Sequence, residues 1–159
     1  MIEIERKFLV TSEAFKELAF KKTRIVQGFL NTDPERTVRV RIKGSEGFIT
    51  VKGIGNETGA SRFEWEKQIT VEEAEALLKI CEPGIIDKIR HEVKAANHIF
   101  EVDEFFDANE GLIIAEVELS EEKETVTIPN WIGKEVTGET KYYNSQLSKN
   151  PFKNWNDEN

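Results

Sequence analysis

The sequence is short of cysteine and of long apolar runs. Its 159 residues include a single cysteine, Cys81, which excludes a disulfide framework and a zinc site built from several cysteines. No apolar stretch approaches the roughly 20 residues that a membrane-spanning helix requires. The opening residues MIEIERKFLV show no secretory signal pattern. We therefore expect a protein of the reducing cytoplasm with no membrane partner.

Positive charge is also in deficit. The chain has 22 Lys and Arg residues against 30 Asp and Glu residues, so its formal net charge is −8. Proteins that bind duplex DNA usually carry a basic excess, so we expect no nucleic-acid partner. A small anionic ligand remains compatible with this balance, because local charge placement decides its binding. The hydrophobic fraction of 38% is sufficient for the core of a globular protein.

The domain organisation is simple. No Pro/Ser-rich linker and no solenoid-type repeat divides the chain. The pattern predicts one domain over residues 1–150 and a polar C-terminal tail over residues 151–159, in which Phe152 and Trp155 are candidate anchors.

Most of the chain alternates apolar and polar residues with a period of two, which is typical of strands with one buried face. Eight strands are predicted, at residues 2–8, 23–30, 37–43, 48–52, 62–69, 86–93, 99–105 and 112–119. Helices are predicted at residues 12–20, 70–81 and 140–148, the second of them beginning with a capping box at Thr70 and Glu73. The fold class is therefore α+β, mainly antiparallel β, with a barrel or a strongly curved sheet.

Charged residues occupy one face of nearly every predicted strand. They include like-charged pairs two residues apart, namely Glu3/Glu5, Arg39/Arg41, Lys88/Arg90 and Glu116/Glu118. Like charges on one sheet face repel each other, and a merely solvated face would mix in more neutral polar residues. The simpler interpretation is a sheet with one wet face. If the sheet closes, the same faces instead converge on a charged interior.

A charged interior of this kind predicts a metal–polyphosphate ligand. Arginine binds phosphate oxygens with a planar fork of donors, and lysine adds positive charge. Carboxylates in the same interior would repel a polyanion unless they held divalent cations. Oxygen donors suit Mg²⁺ or Mn²⁺, which bridge carboxylates to substrate phosphates. This argument selects a ligand class and leaves the reaction open.

The segment Glu3-Ile4-Glu5-Arg6-Lys7 resembles the ExExK hallmark of the CYTH superfamily, whose members are also called triphosphate tunnel metalloenzymes. Further segments resemble family strands in the family order: VRVR at 38–41, ITVK at 49–52, RFEWE at 62–66, KIR at 88–90, EVD at 101–103 and AEVEL at 115–119. WIGKEVT at 131–137 and YYN at 142–144 resemble the short bacterial branch. The resemblance implies a closed eight-stranded antiparallel β-barrel with a few flanking helices, which binds a small-molecule triphosphate in its tunnel.

Site residues follow from the resemblance position by position. The implied metal ligands are Glu3, Glu5, Glu116 and Glu118, with Glu64, Glu66 and Asp103 as supporting carboxylates. The implied phosphate contacts are Lys7, Arg39, Arg41, Lys52, Lys88 and Arg90, to which Arg62 and Lys141 are added although the sequence does not place them inside the tunnel. Candidate catalytic groups among these are Glu5, Lys88, Arg39 and Arg41. Phe29 stands where the branch often has tyrosine, which puts substrate preference in question.

The expected function is metal-dependent hydrolysis of inorganic triphosphate to pyrophosphate and phosphate, with Mg²⁺ or Mn²⁺ as cofactor. Alternatives within the family are a class IV-type adenylate cyclase and a thiamine triphosphatase, because fold alone does not determine reaction. A non-catalytic polyphosphate-binding module is a further alternative, but it predicts degraded carboxylates, whereas both charged sets are intact here. The oligomeric state is open, with a homodimer through outward apolar faces as one expectation.

Overall fold

The computed structural model describes residues 1–158, and the side chains of residues 1–155. The end of the predicted tail, residue 159, lies outside the described residues. The strands found there are β1 Ile2–Val10, β2 Lys21–Asn31, β3 Thr37–Lys43, β4 Glu46–Gly55, β5 Ser61–Ile69, β6 Ile86–Ala95, β7 His98–Phe105, β8 Ile113–Glu118 and β9 Ile132–Glu135. The α-helices are α1 Phe15–Leu18, α2 Val71–Leu78 and α3 Asn144–Leu147, and 3₁₀ turns span Asp107–Asn109, Thr140–Tyr142 and Phe152–Glu158.

Eight of the strands form a closed antiparallel barrel. Neighbouring strands follow the order β5-β4-β3-β2-β6-β7-β8-β1. β1 then pairs with β5 through Ile2↔Phe63, Glu3↔Arg62 and Ile4↔Ser61, which joins the two ends of the sheet. Closure removes the free sheet edges and turns one face of every strand inward. The predicted eight-stranded barrel with a few short helices is confirmed.

β9 is an addition that the alternation did not predict. The first residues of β1 pair with β5, whereas its last residues pair with β9 through Phe8↔Glu135 and Val10↔Ile132. β9 has only four residues and contains Gly133. A segment this short carries too few alternations to stand out in the sequence.

All three helices are shorter than predicted, and the one with the predicted capping box, α2, is the longest of them at eight residues. At α2 the hydroxyl of Thr70 accepts from the backbone N–H of Glu73 at 3.0 Å, and the Glu73 carboxylate accepts from the backbone N–H of Thr70 at 2.9 Å. α1 has no side-chain cap and spans only four residues. The helix expected at 140–148 is interrupted at Tyr143, whose backbone is extended.

Two apolar clusters flank the charged interior. One packs on the outside of β1, β7 and β8, and includes Phe8, Phe15, Phe100 and Trp131. The other fills one end of the barrel, where inward strand residues meet the C-terminal segment; it contains Phe29, Ile86, Phe105, Leu112, Ile114, Val136, Tyr142, Leu147 and Trp155. The second cluster anchors residues 142–147 against the interior. No helix of the described chain has the length and apolar character needed to cross a membrane.

Candidate active site

The charged faces converge on a cavity of about 260 Å³ inside the barrel. Every one of the eight barrel strands contributes at least one lining residue, and the segment 143–145 lines it as well. This arrangement follows from the pleat, because residues two apart on a strand project to the same side. The like-charged pairs of the sequence therefore become neighbours across a closed interior.

Most of the site residues predicted from sequence lie on this cavity. The predicted phosphate contacts on its wall are Lys7, Arg39, Arg41, Lys52, Arg62, Lys88 and Arg90. The predicted metal-binding carboxylates on its wall are Glu3, Glu5, Glu64, Glu66, Glu116 and Glu118. Two of the predicted residues, Asp103 and Lys141, are absent from the lining.

Lys141 is exposed on the surface of the C-terminal segment. Its Nζ lies 4.6 Å from the ring centroid of Trp155 and 5.3 Å from that of Tyr142. The 3₁₀ turn Thr140–Tyr142 directs Tyr142 into the end of the barrel and leaves Lys141 over these rings. Lys141 therefore does not reach a ligand in the cavity in this arrangement.

Asp103 lies behind the cavity wall, and both of its carboxylate oxygens contact the charged groups of Arg90 and Lys88. It is 1% exposed, accepts from Arg90 Nε at 2.8 Å and Nη2 at 2.9 Å, and lies 2.8 Å from Lys88 Nζ. Burial opposes its ionisation, but the charges of Arg90 and Lys88 outweigh it and lower the pKa of Asp103. Its oxygens hold the two cations in place and are not directed at a metal ion.

Arg39 and Arg41 leave donors free in the cavity. The Nε–H groups of both are buried and have no hydrogen-bond partner among the described residues. Burial, together with the charges of Arg39 and Arg90, lowers the pKa of Arg41 to about 9, so it stays charged at neutral pH. Glu66 forms an ion pair with both, at 3.3 Å from Arg39 and 3.5 Å from Arg41. Buried donors without acceptors are suited to an anion with several oxygens.

Glu5 and Glu116 form a carboxyl pair deep in the cavity. Burial and the charges of Glu116 and Glu3 raise the pKa of Glu5 well above its usual value. For Glu116 burial acts in the same direction, but the charges of Lys7, Arg90 and Lys88 lower its pKa well below the usual range. A side-chain hydrogen bond between Glu5 and Glu116 also lowers the pKa of Glu116. Two neighbouring carboxylates repel each other, which favours one negative charge on the pair over two.

Glu3 and Glu64 form a second pair beside Lys52. Lys52 Nζ donates to Glu3 at 3.0 Å and lies 3.4 Å from Glu64. Burial and the hydrogen bond to Glu3 raise the pKa of Glu64 to about 7. Although burial opposes it, the charge of Lys52 lowers the pKa of Glu3. The cavity therefore holds two carboxyl pairs, and in each pair the pKa of one carboxyl is raised and that of the other is lowered.

Comparison with known proteins agrees with this geometry. The CYTH domain model matches residues 1–151. The chain belongs to the CYTH domain family. It is 46% identical over 154 residues to the inorganic triphosphatase of Acetivibrio thermocellus, covering 96% of this chain and 97% of that protein. It is 39% identical over 152 residues to the inorganic triphosphatase of Nitrosomonas europaea, covering 93% and 97%.

A solved structure also matches. The crystal structure of the inorganic triphosphatase NE1496 superimposes with a TM-score of 0.65 and 34% identity, covering 92% of this chain and 93% of that chain. The barrel described above is thus the architecture of its relatives.

The carboxyl pairs fit the divalent cation that the CYTH family implies. Within the described range, no three His, Cys, Asp or Glu side chains are drawn together as a ready-made metal site. Mg²⁺ does not require one, since it commonly binds one or two carboxylates and completes its shell with water and substrate phosphates. The raised pKa values of Glu5 and Glu64 mark where negative charge exceeds what the local lysines balance. A divalent cation bound there would favour the ionised form of both carboxyl groups.

Several lining residues were missed from sequence. Lys43 continues the alternation of Arg39 and Arg41, and Glu101 shares a face with Asp103, so the period-two pattern could have indicated both. Burial lowers the pKa of Lys43, and burial raises that of Glu101. The remaining unpredicted lining residues are Phe29, Thr37, Tyr143, Asn144 and Ser145. No periodic signal indicated the last three, because they reach the cavity through the interrupted C-terminal helix.

A second cavity of about 240 Å³ adjoins the first. The two share Thr37, Arg62, Tyr143 and Ser145. Beyond these, the second cavity is lined mainly by neutral residues, namely Pro34, Ile54, Gly55, Asn56, Gly59, Gly138, Thr140 and Gln146, and by Glu57. This neighbouring space is therefore suited to an uncharged group rather than to further phosphates.

Proposed function

We propose that this CYTH protein hydrolyses inorganic triphosphate to pyrophosphate and phosphate inside the barrel, using Mg²⁺ or Mn²⁺. The observation that carries this proposal is the two-sided cavity, in which buried cations with free donors face paired carboxyl groups. A polyanion alone would be repelled by the carboxylates, and a metal alone would not require the eight Lys and Arg side chains that line the cavity. The similarity to two curated inorganic triphosphatases supports the choice of substrate.

The cations bind the phosphates and stabilise charge in the transition state. Phosphoryl transfer needs little covalent chemistry from a protein, so positioning and electrostatics supply most of the rate. Arg39 and Arg41 provide the buried N–H donors for the phosphate oxygens. Lys88 and Arg90 add positive charge from strand β6, which β2 separates from β3. Lys7, Lys52 and Arg62 complete the contacts around the cavity.

Glu3, Glu5, Glu116 and Glu118 would hold the divalent cation, with Glu64 and Glu66 beside them. When bound, the cation supplies Lewis-acid polarisation of the phosphate oxygens. In the reaction a water oxygen forms a bond to the terminal phosphorus, and the bridging oxygen leaves with pyrophosphate. The proton of the water passes to the amine form of Lys88, whose pKa burial lowers to about 8.

The test is product analysis of the purified protein with each metal and with three substrates: inorganic triphosphate, ATP and thiamine triphosphate. We expect fast phosphate release from inorganic triphosphate and little from ATP. Arg41→Gln should lower kcat/KM at least about 10-fold, the value of a hydrogen bond to a charged group. Arg36→Gln is the matched control, because Arg36 is exposed and pairs only with Asp33 and Glu35.

Other products would overturn the proposal. Cyclic AMP with pyrophosphate from ATP would identify an adenylate cyclase. Binding of triphosphate without turnover of any substrate would identify a polyphosphate-binding module.

The second cavity favours one alternative substrate class. Its neutral lining beside Tyr143 and Arg62 could take the organic group of a substituted triphosphate such as thiamine triphosphate. If that is the substrate, thiamine triphosphate should show a higher kcat/KM than inorganic triphosphate, and Ile54→Asp should reduce only the former.

A further inference from the structure

Lys88 is held by a chain of hydrogen bonds that reaches from the cavity into the C-terminal segment. Its side chain is 2% exposed, and its Nζ lies 2.8 Å from Asp103 Oδ2 and 2.9 Å from Asn144 Oδ1. The same Asn144 Oδ1 accepts from Gln27 Nε2 at 2.7 Å. Three elements, β2, β6 and α3, therefore meet at one asparagine oxygen.

The chemistry of these groups allows only one orientation of the Asn144 amide. A lysine ammonium group has donors and no acceptor, so the atom facing it has to be the amide oxygen rather than the NH₂ group. Gln27 then faces the same oxygen with its own NH₂ group, as the 2.7 Å contact shows. With Asp103 and Asn144 occupying two N–H directions of Lys88, the third direction is left for the cavity. It carries an N–H in the ammonium form and a lone pair in the amine form.

The buried amide of Gln27 is energetically unfavourable in this arrangement. Its side chain is wholly buried, and its Oε1 has no hydrogen-bond partner in the part of the chain that the structure describes. An apolar residue on the same strand would avoid the unsatisfied oxygen. The amide is useful only through its Nε2–H, which is given to Asn144. This unpartnered oxygen points to a role beyond core packing.

Asn144 is itself anchored on both sides. Tyr142 and Leu147 are buried in the cluster that fills the end of the barrel. Tyr143, next to Asn144, places its ring 4.8 Å from Lys7 Nζ. These contacts fix the position of residues 142–147 at the cavity, although the segment belongs to none of the barrel strands.

We propose that Asn144 is a positioning residue for Lys88, with Gln27 setting the orientation of the Asn144 amide. The pair aims the free direction of the Lys88 amine at the substrate phosphate or at the attacking water. The catalytic consequence rests on the proposed triphosphatase function, whereas the placement of Lys88 does not.

Four variants test the proposal in one kinetic series. Asn144→Leu removes the acceptor, Asn144→Asp keeps an acceptor oxygen in the same shape, and Gln27→Leu removes the orienting donor. Asn154→Leu is the matched control, an exposed asparagine whose side chain does not line the cavity. Circular dichroism and thermal unfolding establish that each variant is folded.

We expect a split between kcat and KM. Asn144→Leu should lower kcat for triphosphate about 10- to 100-fold, which corresponds to a lost hydrogen bond to a charged group, with KM changed less than about 3-fold. Gln27→Leu should change kcat in the same direction, and Asn144→Asp should restore kcat to within about 5-fold of the wild type. Unchanged kcat in a folded Asn144→Leu protein, or an effect on KM alone, would overturn the proposal.

A second readout does not depend on turnover. ¹⁵N NMR follows the Nζ signal of Lys88, assigned by its absence in Lys88→Met. We expect Asn144→Leu to shift this signal and Asn154→Leu to leave it in place. If the wild type fails to hydrolyse triphosphate while the signal shifts as expected, the proposed function fails and the positioning role stands. If the signal does not move in Asn144→Leu, the positioning role is wrong whatever the activity.

Discussion

Arg90 and Asp103 face each other as a cross-strand pair of β6 and β7, joined by two hydrogen bonds of 2.8 and 2.9 Å. This fork leaves Arg90 Nη1 within 3.3 Å of Glu101 and Nη2 within 3.5 Å of Glu116. The pair therefore connects the wall of the barrel to the carboxylates of the cavity. Asp103 acts on the site through Arg90 and Lys88.

Breaking this pair should destabilise the protein. Asp103→Asn removes the charge that balances buried Arg90 and Lys88, and an unbalanced buried cation is costly. We expect the free energy of unfolding to fall by about 3 kcal/mol, measured by urea denaturation. Glu35→Gln, which disrupts an exposed pair with Arg36, should change it by less than about 0.5 kcal/mol. A loss of the same small size in Asp103→Asn would contradict the buried role.

Metal binding should depend on Glu5. Wild-type protein should gain thermal stability in Mg²⁺ or Mn²⁺, by about 2.7 kcal/mol at a hundred times the Kd. Glu5→Gln should lose most of this gain and the metal-dependent turnover, because an amide binds the cation more weakly. Without metal the variant should be at least as stable as the wild type, since glutamine is neutral and avoids the repulsion that Glu116 and Glu3 exert on the ionised form of Glu5.

Two further variants complete that experiment, one at a second predicted metal ligand and one as an exposed control. Glu118→Gln should also abolish turnover, and exposed Glu13→Gln should behave as wild type. A normal metal-induced rise in Tm in Glu5→Gln would remove Glu5 from the ligand set.

The stability of metal-free protein should depend on pH through Glu64. Burial and the bond to Glu3 raise the pKa of Glu64 to about 7, from 4.5. The native state therefore binds this proton more tightly than the unfolded chain, and the resulting stabilisation is present below pH 4.5 and lost as the pH rises to about 7. Unfolding in urea with EDTA, from pH 4.5 to 8, should show this decline.

Glu64→Gln provides the comparison, because it cannot titrate. Its stability should decline less over the same pH range, whereas exposed Glu110→Gln should follow the wild-type curve. Parallel curves for wild type and Glu64→Gln would show that another group controls the pH dependence.

Substitution of Lys43 and substitution of Lys141 should differ in their effect on the KM for triphosphate. Lys43 lines the cavity next to Arg41, and its loss should raise KM for triphosphate about 10-fold, as for a charged hydrogen bond. Lys141 lies over Trp155 outside the cavity, so Lys141→Met should leave KM within about 2-fold. Steady-state kinetics of Lys43→Met and Lys141→Met decide the matter, and a reversed order would place Lys141 on the substrate path.

The sequence alone was sufficient to predict the barrel and the charged interior, and it favoured a metal–polyphosphate ligand. Side chains in a strand alternate with a period of two, so Glu3/Glu5, Arg39/Arg41 and the other like-charged pairs identify one face without any knowledge of the fold. Their order along the chain also identifies the family, and the closed eight-stranded barrel follows from it. The charged faces depend only on residues close together in sequence, whereas closure of the barrel follows from the order of the family segments along the whole chain.

Tertiary structure decided which members of the charged face are free to bind a ligand. Glu101 and Asp103 share a face and look alike in sequence, but strand register places Asp103 opposite Arg90, which leaves Glu101 on the cavity. The C-terminal segment shows the same limit, since Asn144 reaches Lys88 across 56 positions of sequence. The register between distant strands and the path of an irregular segment depend on packing of the whole chain. Local periodicity therefore predicts neither of them.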